Sequence, residues 1–351
     1  MQLLCLGDVA LADKNLLQSA WETPGGLKPA DDSRVLFNWE LPIGSIINPI
    51  PRSSGPRLLS NPGSPNVIRK WAPGFSTLAT NHILDAGEQG LAATIESLTQ
   101  AGFTTVGAGR TREEIIKPLF WETNEGRLAI VNWVFPETHP DWMAVPGPNC
   151  WPGGTEAKKA IEQLRSHVDW VVVAVHWSDE LFPYPRPEDR IFARELAQMG
   201  ADMVIGHHPH VVRGMEILGS CPVFYSVGNF YFSDISNEGG EWLARWPPRN
   251  HESLGVQVSF RRGERPEVKL LSFWQTKMEI IADPFRRAAR RVRRVSRPMK
   301  HFRGSEYLKW YNIRRARFNW LGYRLHFGWW MIDKNCAKRN LFKLVTCIGK
   351  R

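Results

Sequence analysis

The chain has 351 residues, of which 43% are hydrophobic and 23% are charged. This balance is ordinary for a soluble globular protein and excludes wholesale disorder, a collagen-like chain and a coiled-coil rod. The length suggests two domains or one large domain with an appendage. The net charge of +10 points to a polyanionic partner: nucleic acid, an acidic membrane surface or an acidic polymer.

The sequence predicts strands and helices that alternate along the chain. Short β-branched and apolar runs predict buried strands at 2–6, 34–37, 75–79, 128–134, 170–175, 203–205 and 223–226. Apolar residues at helical spacing predict helices at 88–101, 155–167 and 187–199. A strand pair without an intervening helix is predicted at 254–260 and 267–274. This alternation indicates a layered α/β fold.

Polar residues follow nearly every predicted strand. In chain order they are Gly7-Asp8, Asn38-Trp39-Glu40, Thr80-Asn81-His82 with Asp85 beyond, His176, His207-His208-Pro209-His210, and Gly228-Asn229. Because ligands collect at the carboxyl ends of strands in layered α/β proteins, these residues are expected at one site. Carboxylates, an amide and several imidazoles suit two first-row transition metals rather than an oxygen-only Mg or Ca site.

Cysteine spacing and the N-terminal segment bear on the compartment. Five cysteines, at positions 5, 150, 221, 336 and 347, show no CxxC spacing, which argues against a disulfide framework or zinc finger and fits a reducing compartment. No apolar run reaches the roughly 18 residues that a membrane span needs. The first residues lack the basic start and the length of a signal peptide. The sequence therefore predicts a cytoplasmic protein, with peripheral contact at the inner membrane face as an option.

At these motifs the chain resembles the CapA or poly-γ-glutamate capsule-synthesis family, a branch of the calcineurin-like metallophosphoesterase superfamily. The matching segments are Leu-Gly-Asp-Val (6–9), Asn-Trp-Glu (38–40), Thr-Asn-His-Ile-Leu-Asp-Ala-Gly (80–87), Val-His-Trp (175–177), Gly-Ala-Asp-Met-Val-Ile-Gly-His-His-Pro-His-Val (200–211) and Tyr-Ser-Val-Gly-Asn-Phe (225–230). The resemblance implies a four-layer αββα sandwich of two mixed β-sheets over residues 1–283. A basic, aromatic-rich C-terminal extension, residues 284–351, is not covered by it.

The resemblance also implies roles for individual residues. Two divalent transition metals (Mn, Fe or Zn) are expected on Asp8, Glu40, Asn81, His176, His208 and His210, with Glu40 as the bridging carboxylate. Substrate contacts are expected from Asn38, His207 and Asn229, with turn formation as the alternative for Asn229. The chain departs from the superfamily at Ala10, where the first motif usually has His, and at Thr80, which replaces an Asn. One metal is therefore expected to have fewer protein ligands.

The expected chemistry is metal-dependent hydrolysis of a phosphoester, with His82 as the general acid. Asp85 is expected to orient the His82 imidazole, and the alternative is that it caps the helix that follows. Arg186 and Arg213 are candidate anion contacts, with solvent-exposed arginine as the alternative. A non-catalytic factor that binds anionic polymer during capsule assembly or export is the competing function.

The positive charge is concentrated in the last 68 residues. Residues 284–351 contain 20 Lys and Arg against two acids, a charge of +18, which leaves −8 for residues 1–283. Aromatic residues are interleaved with the bases, a pattern found both in nucleic-acid binding and at membrane interfaces. Folding back onto the acidic body is a third option. We expect contact with a membrane surface or an acidic polymer in preference to nucleic acid.

Overall fold

The computed structural model of the protein describes residues 1–45, 55–141, 143–237 and 240–319. Within these ranges the strands, in chain order, are β1 (Gln2–Ala10), β2 (Ser33–Trp39), β3 (Gly74–Thr77), β4 (Phe103–Val106), β5 (Ala108–Gly109), β6 (Leu119–Thr123), β7 (Gly126–Val134), β8 (Gly147–Pro148), β9 (Trp170–His176), β10 (Met203–His207), β11 (Met215–Leu218), β12 (Cys221–Phe224), β13 (Asn229–Phe232), β14 (Ile235–Ser236), β15 (Trp242–Ala244), β16 (Glu252–Ser259), β17 (Glu267–Gln275) and β18 (Ile280–Ala282). The helices are α1 (Gly87–Gln100), α2 (Arg112–Ile116), α3 (Gly154–Arg165), α4 (Pro187–Met199), α5 (Arg287–His301) and α6 (Gly304–Arg317).

Two mixed sheets make up the body of the molecule. The larger has the order β18-β17-β16-β1-β2-β3-β4, and β13 pairs with the carboxyl-terminal part of β1. Strands β1 to β4 are parallel, and β16 to β18 continue the sheet in antiparallel fashion. The smaller sheet has the order β11-β12-β10-β9-β7-β6, with parallel pairing through β12, β10, β9 and β7.

The two sheets pack face to face, and helices cover their outer faces. Leu3 and Cys5 of β1 share one buried cluster with Val172 of β9, so this core lies between the sheets. Leu4, on the opposite face of β1, packs in a second cluster with Leu91 of α1. Helices α3 and α4 pack against β9 and β10. Strands buried on both faces explain the continuous apolar runs in the sequence, and the predicted four-layer αββα arrangement is confirmed.

Several predicted strand ends fall short of the observed ones. Strand β1 continues to Ala10, β2 to Trp39 and β9 to His176, so Asp8, Asn38 and His176 lie inside strands rather than after them. Polar side chains in a strand interior resemble a strand end in sequence, yet here they contact one another in a buried site. The predicted helices and the pair β16–β17 agree with the structure to within two residues at each end.

The chain divides into two compact units, Met1–Arg297 and Pro298–Arg351. The first contains both sheets. Of the second, the structure describes residues 298–319, in which the rings of Tyr307 and Trp310 lie 5.6 Å apart. The predicted boundary at 283/284 and the C-terminal extension stay predictions, and the aromatic residues from Trp320 onward lie outside the described residues. In the described ranges, every helix is too short or too polar to pass through a bilayer.

Candidate metal centre

Two carboxylates are buried side by side at the carboxyl ends of β1 and β2. Asp8 and Glu40 are completely inaccessible to solvent, as is Asn38 between them. The Asn38 amide nitrogen donates to Asp8 Oδ1 (2.9 Å) and to Glu40 Oε2 (2.6 Å), and its oxygen accepts from Thr77 Oγ1 (3.0 Å). Asn38, which was predicted to contact substrate, thus lies behind the carboxylates and holds them together.

The charge of these carboxylates is only partly compensated by protein groups. Burial, and then the charge of Asp8, raise the pKa of Glu40 well above its ordinary value. Glu40 Oε1 accepts no hydrogen bond from the described residues. A buried carboxylate oxygen without a donor is costly, and a cation would compensate it. The observed donor set therefore fits a metal ion.

Three imidazoles face the carboxylates from the smaller sheet. His176 Nε2 lies 2.8 Å from Asn81 Oδ1 and 3.4 Å from Glu40 Oε1. Its ring centroid is 4.7 Å from that of His208. Burial and the neighbouring imidazoles lower the pKa of His176 well below its ordinary value, which favours the neutral form that binds metals.

His210 has the opposite electrostatic environment. Its Nδ1 lies 3.2 Å from Asp8 Oδ2 and 2.9 Å from Asn229 Oδ1. Burial opposes a charge on the ring, but the hydrogen bond and charge of Asp8 outweigh it and raise the pKa of His210 to about 9. In the absence of a metal, a protonated His210 can therefore balance Asp8.

These side chains form two overlapping groups of candidate ligands. In the first, ligand atoms of Glu40, His176 and His208 all lie within 4.8 Å of one another, and in the second those of Glu180, His208 and His210 do so. Because His208 belongs to both groups, the two positions adjoin. The structure thus brings together all six of the predicted metal ligands: Asp8, Glu40, Asn81, His176, His208 and His210.

Close backbone contacts position the ligands. A Cβ atom on Gly7 would collide with the carbonyl oxygen of Gly228, and this close approach sets Asp8 beside Asn229 in the β1–β13 pair. The pairing of β1 with β2 also shifts register between Cys5 and Asp8. Irregularities of this kind re-aim side chains next to functional sites.

The loop after β10 holds two histidines in the left-handed region. His208 has φ +89° and His210 φ +56°, values that side-chain-bearing residues rarely adopt without support from their surroundings. The backbone N–H of His208 points to Asp8 Oδ2 (3.4 Å), and Asn250 Nδ2 donates to the His210 carbonyl (2.7 Å). Contacts from two other segments thus hold the strained loop that presents both rings.

The pair His82–Asp85 lies beside the first ligand group. His82 Nδ1 is 2.6 Å from Asp85 Oδ2, and that oxygen also accepts from the backbone N–H of Leu58 (2.8 Å). Helix α1 is capped instead by Ala86, without a side-chain hydrogen bond, so the capping alternative for Asp85 is wrong. His82 keeps 8% of its surface exposed, which leaves the ring a route to solvent.

The structure separates the other two predicted substrate contacts from the centre of the site. His207 Nε2 lies 3.1 Å from the carbonyl oxygen of Leu6, and burial lowers the pKa of this histidine. Its ring therefore contacts the backbone of β1. Asn229 is fully buried and contacts His210, so it supports a candidate ligand.

Arg186 and Arg213 match neither of the roles predicted for them. Arg213 is 1% exposed, and its guanidinium donates to the Ser178 hydroxyl (2.5 Å) and to two backbone carbonyls. Arg186 is largely buried and donates to Asp189 Oδ1 (2.6 and 2.8 Å). Both arginines stabilise the loop after β9, where sequence reasoning missed Glu180. Its position four residues after His176 was the available signal.

Comparison with known proteins places the chain among capsule-synthesis proteins. It is 29% identical over 201 residues to a PGA biosynthesis protein CapA of Bacillus subtilis, covering 56% of this chain and 53% of that protein. It is 28% identical over 262 residues to a probable polyglutamine synthesis accessory protein of Mycobacterium tuberculosis, covering 68% of each. A solved structure of a hypothetical protein from Thermus thermophilus aligns with a TM-score of 0.48 at 19% identity, over 79% of this chain and 100% of that one.

The chain spans about half the length of the curated CapA relatives that it matches. A family model described as bacterial capsule synthesis protein PGA_cap matches residues 4–234. The matched range runs from β1 to just beyond β13 and contains every candidate ligand. The chain therefore belongs to the PGA_cap family of bacterial capsule synthesis proteins.

Proposed function

We propose that this chain is a metal-dependent hydrolase of phosphoester type that acts in the synthesis of a capsule polymer. The observation that carries the proposal is the pair of ligand groups sharing His208, with His82–Asp85 alongside. Family membership supports the role in capsule synthesis. The name of the Bacillus subtilis relative refers to PGA synthesis and supports an anionic polymer as the material concerned.

The ligands divide into an inner and an outer position. Glu40, His176 and Asn81 would hold the inner divalent metal, and Asp8 and His210 the outer one, with His208 adjoining both positions. The bridging role predicted for Glu40 stays a prediction. Mn, Fe and Zn are all compatible with this mixture of carboxylate, amide and imidazole donors. Two such metals supply charge that lowers the pKa of water and holds phosphoryl oxygens during in-line attack.

The protein's own proton donor is His82. Asp85, fixed by the Leu58 N–H, accepts a hydrogen bond from Nδ1 of the ring, so that in the doubly protonated imidazolium form the exchangeable proton lies on Nε2. Such a proton can pass to the leaving oxygen of a substrate as its bond breaks. Thr80 helps to place the ring, because its hydroxyl donates to the Glu40 carbonyl (3.0 Å) and accepts from the His82 backbone N–H (3.2 Å).

Metal content and turnover, measured on one preparation, test the proposal. Chelator-treated protein reloaded with Mn²⁺ should contain two metals per chain by elemental analysis and hydrolyse p-nitrophenyl phosphate or its diester. His176→Asn should lose metal and turnover together. His167→Asn, at an exposed histidine after α3, is the matched control and should keep both. A chain that binds no transition metal and cleaves neither ester would overturn the proposal.

A second function, binding of anionic polymer without catalysis, is favoured by the surface of α5. Its buried face carries Ala288, Val292 and Val295, while the exposed face carries arginines at helical spacing, namely Arg290, Arg293, Arg294 and Arg297. Such a row attracts a polyanion in a salt-dependent manner. If this is the function, charge reversal at Arg290 and Arg294 should abolish polymer production while His82→Ala leaves it intact. The reverse result would favour the hydrolase, and binding of the purified protein to anionic vesicles or nucleic acid instead of polyglutamate would identify another partner.

A further inference from the structure

The loop after β9 carries an acidic residue outside the predicted ligand set. The Glu180 carboxylate and ring nitrogens of His208 and His210 all lie within 4.8 Å of one another. We propose that Glu180 is a carboxylate ligand of the outer metal, an inference that rests on the proposed binuclear centre. Its side chain is exposed, unlike those of the other ligands, so it lies at the solvent side of the site.

The outer position has room for another protein ligand. Without Glu180 it is served by Asp8, His208 and His210. Ala10, two residues after Asp8, has no ligand atom and packs in an apolar cluster with Leu41 and two other side chains. A transition metal such as Zn²⁺ is usually four-coordinate, with protein atoms, water or substrate as the ligands. A carboxylate from the loop would complete that number with protein atoms.

The structure holds Glu180 in place from both sides. Ser178 has φ +76° and Leu181 φ +65°, so the chain turns sharply on either side of it. The Leu181 N–H donates to the carbonyl of Pro209, the residue between the two histidines (2.8 Å). This bond joins the loop of Glu180 directly to the loop of its proposed co-ligands.

Arg213 forms hydrogen bonds to the backbone of the same loop. Its guanidinium donates to the carbonyl oxygens of Asp179 (2.6 Å) and Phe182 (2.9 Å), which flank Glu180 in sequence. Arg249 adds a bond to the Leu181 carbonyl (3.0 Å). The loop is therefore anchored on both sides of an exposed carboxylate, an arrangement suited to presenting a ligand.

The charge of Glu180 also acts on the other residues of the candidate site. Burial and Asp8 have the larger effects on the pKa of Glu40, and Glu180 raises it further. Burial lowers the pKa of His210, and Glu180 acts with Asp8 and Glu40 to raise it. Asp8, Glu40 and Glu180 thus surround the two positions with three carboxylates. A pair of divalent cations would offset that negative charge.

Metal binding by Glu180→Gln, which keeps the shape of the side chain and removes its charge, tests the inference. Metal-free protein is titrated with Mn²⁺ by calorimetry, and bound metal is counted after dialysis. The wild type should bind two metals. The variant should bind the weaker of the two about tenfold or more less tightly and leave the tighter one unchanged. Glu188→Gln, which removes an exposed carboxylate from α4, is the control and should bind as the wild type does.

Each outcome separates the two proposals. Two metals with unchanged affinities in Glu180→Gln would overturn the role of Glu180 and leave the binuclear centre standing. No bound metal in the wild type would overturn both. Co²⁺ provides a second readout, because loss of a carboxylate ligand should change the visible spectrum of the cobalt-loaded variant even at saturating metal. An unaltered spectrum at full loading would contradict the inference.

Discussion

Asn38 shows how a single amide can decide the electrostatics of a site. One nitrogen donates to both buried carboxylates, and the oxygen is held in turn by Thr77. The two carboxylates would otherwise repel each other across a space from which water is excluded. Its role is therefore to hold the ligands before any metal arrives, which is a positioning role rather than contact with substrate.

Removal of this amide should destabilise the metal-free protein. Asn38→Ala deletes two hydrogen bonds to charged groups, each worth about 1.5–3 kcal/mol, so the free energy of unfolding should fall by about 3 kcal/mol or more. Urea unfolding in the presence of a chelator measures the change. Asn66→Ala, at an exposed position, is the control and should stay within about 0.5 kcal/mol of the wild type. A loss as small as that at position 38 would show that the carboxylates need no such support.

The pair His82–Asp85 leads to a kinetic prediction. Asp85→Asn keeps an oxygen that can accept from the Leu58 N–H but removes the carboxylate charge beside the imidazole. We expect kcat to fall about tenfold or more, since groups that orient a functional histidine typically contribute 10–100-fold. Metal content should not change. A fall in metal content equal to the fall in kcat would assign Asp85 to metal retention instead.

At the scale of the elements, the contact between β1 and β13 leaves no space for a side chain at Gly7. The Asp8 N–H donates to the Gly228 carbonyl (3.1 Å), and the space beside Gly7 is filled by that same carbonyl group. Glycine is needed here for the close approach of two backbones. The approach in turn sets the distance between Asp8 and the Asn229–His210 pair.

Gly7→Ala should therefore damage both the fold and the site. The added methyl group must push β13 away from β1, and we expect a loss of about 2–4 kcal/mol in unfolding free energy together with weaker metal binding. Thermal unfolding with and without Mn²⁺ measures both effects. Gly154→Ala, at the start of α3 where a Cβ meets nothing within 4 Å, should leave both unchanged. Full stability in Gly7→Ala would mean that the strands can separate without cost.

The helices and strands were predictable where burial produces a regular pattern of apolar residues in the sequence. Strand β9, buried on both faces, appears as an uninterrupted apolar run, and α4 shows helical spacing with a Pro at its start and a Gly after its end. The extension of β1 through Gly7 and Asp8 was missed because polarity in a strand interior looks like a strand end. The interactions of those residues become visible only in three dimensions.

The site was predictable to a similar degree. Asp8, Glu40 and the histidines belong to motifs, and the structure brings them together. For Glu180 the only signal in the sequence was its position four residues after His176, and by itself an exposed glutamate in a loop resembles any surface acid. Its proximity to His208 depends on the left-handed turns at Ser178 and Leu181, which side-chain-bearing residues rarely adopt and which sequence patterns do not predict.

At the scale of the whole molecule, the site joins the two sheets. Asp8 and Glu40 come from the ends of larger-sheet strands β1 and β2, whereas His176 and His208 come from the ends of β9 and β10 in the smaller sheet. A metal bound between these residues would make contacts that the unfolded chain does not maintain. Metal binding at the proposed centre would therefore add to the stability of the native state.

This linkage predicts a metal-dependent unfolding temperature. At a free Mn²⁺ concentration about 100 times the dissociation constant, binding to the native state should add about 2.7 kcal/mol. Scanning fluorimetry with a chelator and then with increasing Mn²⁺ should show a rising Tm. His176→Asn should show a much smaller rise. A Tm that is indifferent to the metal would mean that the native chain binds Mn²⁺ no more tightly than the unfolded chain does.

The separation of the ligands along the chain has a consequence for turnover in the cell. Asp8 and His210 are 202 positions apart in the sequence, and most of both sheets must be in place before they meet. If the chain binds metal as proposed, newly made chains would capture it only late in folding, and a shortage of metal would leave folded chains that unfold more often. We expect such chains to be degraded faster, so the cellular abundance of this protein would follow the supply of the metal, independently of its rate of synthesis.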